Sequence, residues 1–168
     1  MALPEDIQPC RQEIDRLDDE ILNLLNERSQ YVIQIGNLKK QQDSSAHLHT
    51  PGREAAIVER LMRKNPGPFP SEALRHLYRE IMSASLSLEG TQTVAYLGPP
   101  ATFTHLAAMR KFGGSADYVS VNSIKDVFDD VERGRMRFGV VPIENSTEGV
   151  VNHTLDLFVD SPLLIYGE

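Results

Sequence analysis

The stretch LLNERSQYVIQIGNLKK, Leu24 to Lys40, keeps an apolar residue every three or four positions and sets Arg28 on that apolar stripe. Ile7, Ile14, Ile21 and Ile35 stand at multiples of seven from one another, the heptad spacing of a helix that packs along one seam. Position 28 belongs to the same slot, so an arginine faces the core those isoleucines define. Working outward, Cys10, Leu17, Leu24, Tyr31 and Leu38 complete the stripe, and the spacing predicts one long helix from about residue 6 to 42. Asp6 serves as its N-cap. Pro9 falls in the first turn, where its missing N–H removes no helical bond.

A single arginine on such a stripe is explained by snorkelling or by a glutamate partner. Lys39 changes the question. It follows Arg28 by eleven residues, three turns and only about 20° around the helix, with the two Cα atoms roughly 16 Å apart. Two long cationic side chains leaning together leave a gap fit for a small anion, and burying both without an anionic partner would cost several kcal/mol. Arg11 lies about 25 Å from Arg28 along the same rod, too far to reach that gap from its own chain. It joins only from a second subunit running antiparallel.

Beyond the long helix, DSSAHLHTPG (43–52) breaks the pattern, Thr50-Pro51 opens a second helix and Asn65-Pro66-Gly67-Pro68 closes it. Ser71 caps a third, in which Leu74, Tyr78, Ile81, Ser85 and Leu88 share a stripe and Gly90 marks the stop. The helices are expected over about 6–42, 51–65 and 71–89, within a first domain of residues 1–90. Past the polar link EGTQT the texture changes. VAYL (94–97), DYVSV (117–121), FGVV (138–141) and LLIY (163–166) read as strands, separated by helices near 102–112, 123–133 and 149–159. Residues 91–168 therefore form an α/β part, and the fold class is helical followed by α/β.

Composition narrows the partners. The 168 residues are 40% hydrophobic and 24% charged, with a formal net charge of −7 and a pI near 5.2. That balance argues against nucleic acid or an anionic membrane surface, so an anionic ligand must be held by a local cluster of cations. Cys10 stands alone, which excludes an internal disulfide framework and a cysteine zinc site. His47, His49, His76, His105 and His153 show no ligand pattern and read as solvated or capping residues; no metal or cofactor is expected. MALPEDIQPC has neither a basic nor an apolar leader segment, and no window approaches the roughly 18 apolar residues of a membrane span. Cytoplasm is the expected location.

Arg11, Arg28 and Lys39, with the framework RQEIDRLDDEILNLLNERSQYVIQIGNLK between them, resemble the first helix of the all-helical chorismate mutases; REAAIVERL and REIMSASLSLE resemble their second and third helices. The resemblance implies an intertwined homodimer whose long helices cross, each of two sites taking Arg11 from the partner chain. It also implies roles. Arg28 and the partner's Arg11 clamp carboxylates of chorismate, Lys39 donates to the ether oxygen, Arg53 is a supporting cation, Glu54 accepts from the ring hydroxyl and Ser85 donates to a carboxylate. Glu89 stands where many members carry Gln, and an ionised carboxylate cannot donate to an ether oxygen. Thr50 or His49 stands nearest to a loop acid of the shorter members.

The second half resembles the start of a prephenate dehydratase domain: TVAYLGPPATFTHLAA is similar to its first strand, turn and helix, and VVPIENSTEGVVNHTLDLF to its Pro-Ile-Glu-Asn-Ser loop and next helix. The implied fold is part of one lobe of a periplasmic-binding-protein-like domain. Thr102, Asn145 and Ser146 are its prephenate-binding candidates, the last two at a helix N-terminus. Ala101 stands where the family often has glycine. The expected function is a chorismate mutase from the N-terminal part of a bifunctional enzyme, with the dehydratase part incomplete. The alternative is a non-catalytic helical dimerisation module attached to a ligand-binding lobe, which would gain nothing from cations on its core stripe.

Overall fold

The heptad stripe folds as one uninterrupted helix, α1 (Ile7–Gln42), of 36 residues and about 54 Å. The computed structural model describes residues 7–42, 51–145 and 149–168; Asp6, His47, His49, Thr50 and Ser146 lie outside them. On the polar side of α1, Arg16 joins Glu13 (Nε to Oε1, 2.9 Å) and Glu20, and its N–H groups hold the Glu13 carboxyl below the usual range. The apolar side is open: Ile14, Ile21 and Leu24 are 56%, 55% and 64% exposed. Contacts divide the chain into two compact units, Met1–Ala46 and His47–Glu168, so α1 is the described part of the first.

In the second unit, α2 (Pro51–Lys64) and α3 (Ser71–Ser87) pack on each other. Pro51 opens α2 at the position where a missing N–H costs nothing. Between the two helices Asn65 folds the loop on itself. Its Oδ1 accepts from Gly67 N (3.1 Å), and its Nδ2 donates to Phe69 O (2.7 Å) and Ser71 Oγ (3.0 Å). Ser71 is thus not the cap expected from the sequence. Asn65 engages its hydroxyl, and the N-cap position falls to Pro70, which has extended backbone and no side-chain cap bond.

Residues from Thr93 on build a three-stranded parallel sheet from β1 (Thr93–Leu97), β2 (Asp117–Val121) and β3 (Phe138–Val140), in the order β2-β1-β3. Helix α4 (Phe103–Phe112) links β1 to β2, and α5 (Ile124–Glu132) links β2 to β3. The central strand is buried at Val94, Ala95 and Tyr96, as a parallel strand covered on both faces must be. Val94 and Tyr96 meet Ala108, Phe112 and Ala116 on one face, with Phe138, Val140 and Tyr166 against them. The opposite face carries Ala95 and its neighbour Gly139. A Cβ on Gly139 would stand 2.6 Å from Val127 Cγ1 of α5, so only glycine lets α5 lie that close. Helices therefore cover both faces.

Two expectations for this half are corrected. LLIY (163–166) is not a fourth strand; it is held by side-chain packing, the Tyr166 ring lying 4.9 Å from Phe138 and 6.3 Å from Phe112. Asn145 is not at a helix N-terminus. It lies in a short antiparallel pair, β4 (Glu144–Asn145) with β5 (Gly149–Val150), and α6 (Asn152–Asp160) starts later, its buried Thr154 donating to Pro142 O at 2.8 Å. Glycine at 149, with φ 77, permits the turn that the two short strands require. Among the described residues no helix is long and apolar enough to cross a membrane.

Candidate functional site

Unbroken helical geometry fixes the spacing of the cations on α1. Arg28 and Lys39 are half-buried there, whereas Arg11 is exposed. A rigid rod suits this task, because three charges set far apart keep their separation without help from loops.

The remaining mutase candidates lie on α2 and α3. Arg53 is exposed in the first turn of α2, and Glu54 beside it is half-buried. Glu54 lines a shallow groove of about 210 Å³ together with Arg75, Arg79, Arg110 and Lys111. Ser85, 6% exposed, donates to Ile81 O at 2.6 Å, the back-bond a helical serine makes one turn up. Glu89 follows in the turn after the helix, where its N–H donates to Leu86 O at 3.0 Å. Ser85 lies in the last turn of α3, and Glu89 stands two residues past its end.

In the α/β half, Thr102 is the N-cap of α4: its Oγ1 accepts from His105 N at 3.4 Å and donates to Leu97 O at 3.5 Å. His105 is a capping residue as well. Its Nδ1 accepts from Ala101 N at 3.0 Å, while its ring stacks on Tyr96 at 4.5 Å. Ala101 itself has φ 67, the left-handed region that glycine enters freely and alanine at a cost. The order β2-β1-β3 makes the gap between β1 and β3 a topological switch point, where loops at the carboxyl ends of parallel strands diverge and leave a crevice for ligands. Thr102 follows β1 and Asn145 follows β3, so the topology brings both to that end of the sheet.

Sequence reasoning passed over two residues that tie α3 to the turn following α4, and one arginine before β3. Ser83 is buried and donates to Phe112 O at 2.6 Å, and Glu80 accepts from Gly114 N at 2.7 Å. That N–H, more than the neighbouring Arg79, holds the Glu80 carboxyl below its usual range. Arg137, before β3, has its guanidinium pushed down by burial, against the attraction of the Glu89 carboxylate. No spacing rule relates residues 89 and 137; the attraction follows from the tertiary fold. Among the described residues no cluster of His, Cys, Asp and Glu has the make-up of a metal site.

A cation-bearing helix, a helix pair and a parallel α/β stretch define a two-part protein, and each part has known counterparts. Residues 10–90 match the chorismate mutase type II family, and residues 94–168 match the prephenate dehydratase family. The chain belongs to both families over those stretches. It is 52% identical, over 98% of its length, to the bifunctional chorismate mutase/prephenate dehydratase of Aquifex aeolicus, of which it covers 46%. It is 41% identical, over its whole length, to the enzyme of that description from Pseudomonas aeruginosa, of which it covers 47%. The chain thus spans about half the length of these relatives. A chorismate mutase structure from Thermus thermophilus is 44% identical, covers 52% of this chain and 98% of its own, and superposes with a TM-score of 0.49.

Proposed function

We propose that this chain catalyses the rearrangement of chorismate to prephenate, and that prephenate dehydratase activity belongs to a longer protein containing it. Such an enzyme serves aromatic amino acid biosynthesis, in the branch leading to phenylalanine. The observation that carries the reading is the run of cations Arg11, Arg28 and Lys39 on one unbroken helix, inside the stretch that matches chorismate mutase type II.

Chorismate is a dicarboxylate whose enolpyruvyl ether rearranges in a single pericyclic step, with no nucleophile and no covalent intermediate. The protein helps by holding the reactive conformer and by stabilising the negative charge that grows on the ether oxygen as its bond to the ring breaks. Arg28 and the partner's Arg11 clamp the carboxylates with planar, bidentate forks. Lys39 donates to the ether oxygen, and Glu89 does so when protonated. Glu54 accepts from the ring hydroxyl, Ser85 turns its hydroxyl to a carboxylate, and Arg53 supports the charge balance. Thr102, Asn145 and Ser146 are the prephenate-binding residues of the dehydratase part.

The assembly is a cytoplasmic homodimer. Its support is the exposed apolar stripe of α1, which a helix in water covers with a partner, and the reach of Arg11, which only a second chain brings to Arg28. The test is the loss of chorismate absorbance at catalytic protein concentration. Wild-type protein should turn over, and Lys39→Ala, which deletes a donor acting mainly in the transition state, should lose about 10²- to 10³-fold in kcat. Equal rates in both proteins would refute the assignment of Lys39.

A further inference from the structure

The C-terminal half of α3 is fastened to the turn that follows α4 at two adjoining points. Ser83, 5% exposed, donates to Phe112 O at 2.6 Å and accepts from Ser115 N at 3.2 Å. Glu80, nearly one turn earlier, divides its carboxyl group: Oε2 accepts from Gly114 N at 2.7 Å, while Oε1 takes Arg79 Nε at 3.0 Å. Two glycines allow this approach. A Cβ on Gly113 would stand 2.6 Å from Ser83 Cβ, and one on Gly114 would stand 3.1 Å from Glu80 Oε2. The turn itself is held from within the α/β half. Gly113 N donates to Met109 O at 2.9 Å, the Tyr118 hydroxyl of β2 donates to Gly113 O, and Phe112 belongs to the buried cluster around Val94 and Tyr96. The sheet is therefore the fixed partner in this contact, and the end of α3 is what it holds.

We propose that Ser83 and Glu80 are positioning residues for the mutase reaction: anchored to the dehydratase half, they set the rotation of α3 that aims Ser85 at a substrate carboxylate. The inference rests on the reading of Ser85 as a donor to that carboxylate. Glu80 and Ser83 are three residues apart and share one face of the helix. Ser85, two residues beyond Ser83, stands about 200° around the axis, on the opposite side, with its hydroxyl on Ile81 O at 2.6 Å. Turning that hydroxyl from Ile81 O to a ligand changes only the side-chain torsion, so the backbone decides where the donor arrives. A hydroxyl roughly 4 Å from the helix axis moves by about 1.4 Å when the helix rotates by about 20°, enough to carry it from hydrogen-bond distance to beyond it. Three hydrogen bonds on one face of α3 resist that rotation, and each has its partner in the dehydratase half.

The experiment uses the whole 168-residue chain and reads KM and kcat for chorismate, with circular dichroism and urea unfolding defining conditions in which each variant is folded. A donor to a carboxylate present in substrate and transition state alike acts on KM, whereas a mere loss of folded protein lowers the apparent kcat and leaves KM where it was. Ser83→Ala and Glu80→Met should each raise KM about 3- to 10-fold, the range of one displaced hydrogen bond. Glu80→Gln, which keeps an acceptor for the Gly114 N–H, should stay within about twofold of wild type. In a Ser85→Ala background, neither Ser83→Ala nor Glu80→Met should raise KM further. Glu80 is exposed, so Glu80→Met carries the test in both backgrounds even if Ser83→Ala does not fold. If Ser85→Ala raises KM while Ser83→Ala and Glu80→Met do not, the inference is overturned and the Ser85 reading stands. If they raise KM equally with Ala at 85, they do not act through Ser85, and the inference is again overturned. If Ser85→Ala leaves KM untouched, the reading of Ser85 fails and the inference falls with it.

Discussion

Ala101 and Glu80 show how single residues carry the fold toward its site. Ala101 turns the chain at the carboxyl end of β1 with φ 67, and its N–H is held by His105 Nδ1. Alanine there is strained by roughly 1 kcal/mol, whereas glycine relieves the strain but gains freedom when unfolded. Ala101→Gly should stabilise the α/β half by about 0.5 kcal/mol, seen as a small rise in midpoint on urea unfolding; a fall would mean that the methyl group packs productively. Glu80 fastens α3 to Gly114. Because its folded-state pKa lies below the ordinary value of 4.5, its contribution is present above that value and is lost as pH falls through the depressed one. Glu80→Gln should therefore cost about 1 kcal/mol or less at neutral pH, discounted because the side chain is 46% exposed. The gap to wild type should close in acid. A gap that persists unchanged at low pH would show that the carboxylate is not what holds Gly114.

At the scale of elements, helices were legible because their punctuation is local: Pro51 opens α2, Asn65 and the prolines after it close it, and heptads run the length of α1. Strands β1 to β3 were legible for the same reason, as short β-branched and aromatic runs bounded by turns. The run at 163–166 has that composition too, yet a strand exists only where a neighbouring edge accepts its hydrogen bonds, and here Tyr166 packs as a ring on Phe112 and Phe138 instead. Composition cannot distinguish these outcomes. The exposed stripe of α1 makes its own demand on the element. Ile21→Lys, in mid-seam, should dissociate the proposed dimer and abolish turnover, as light scattering after size exclusion and the chorismate assay would report. Mixing inactive Arg11→Ala with inactive Arg28→Ala under subunit exchange should restore one working site per heterodimer. Proven exchange without recovery would rule out sharing of Arg11 between chains.

For the molecule as a whole, the proposed site was read from residue types, and the mutual placement of those residues was not legible. Arg28 and Lys39 declared themselves because cations on a core stripe need an anion, and helical geometry fixes their separation. Ser83 and Glu80 carry no such signature; they matter only because the end of α3 packs on the turn that follows α4, far away in sequence. By the proposed function, this chain makes prephenate and leaves its further conversion to a longer protein. A proton NMR time course of chorismate with the purified chain tests that claim most directly. Prephenate should rise as chorismate falls, at a rate proportional to protein and absent in Arg28→Ala, with no phenylpyruvate above the protein-free control. Folded protein that leaves chorismate at the uncatalysed rate would contradict the account.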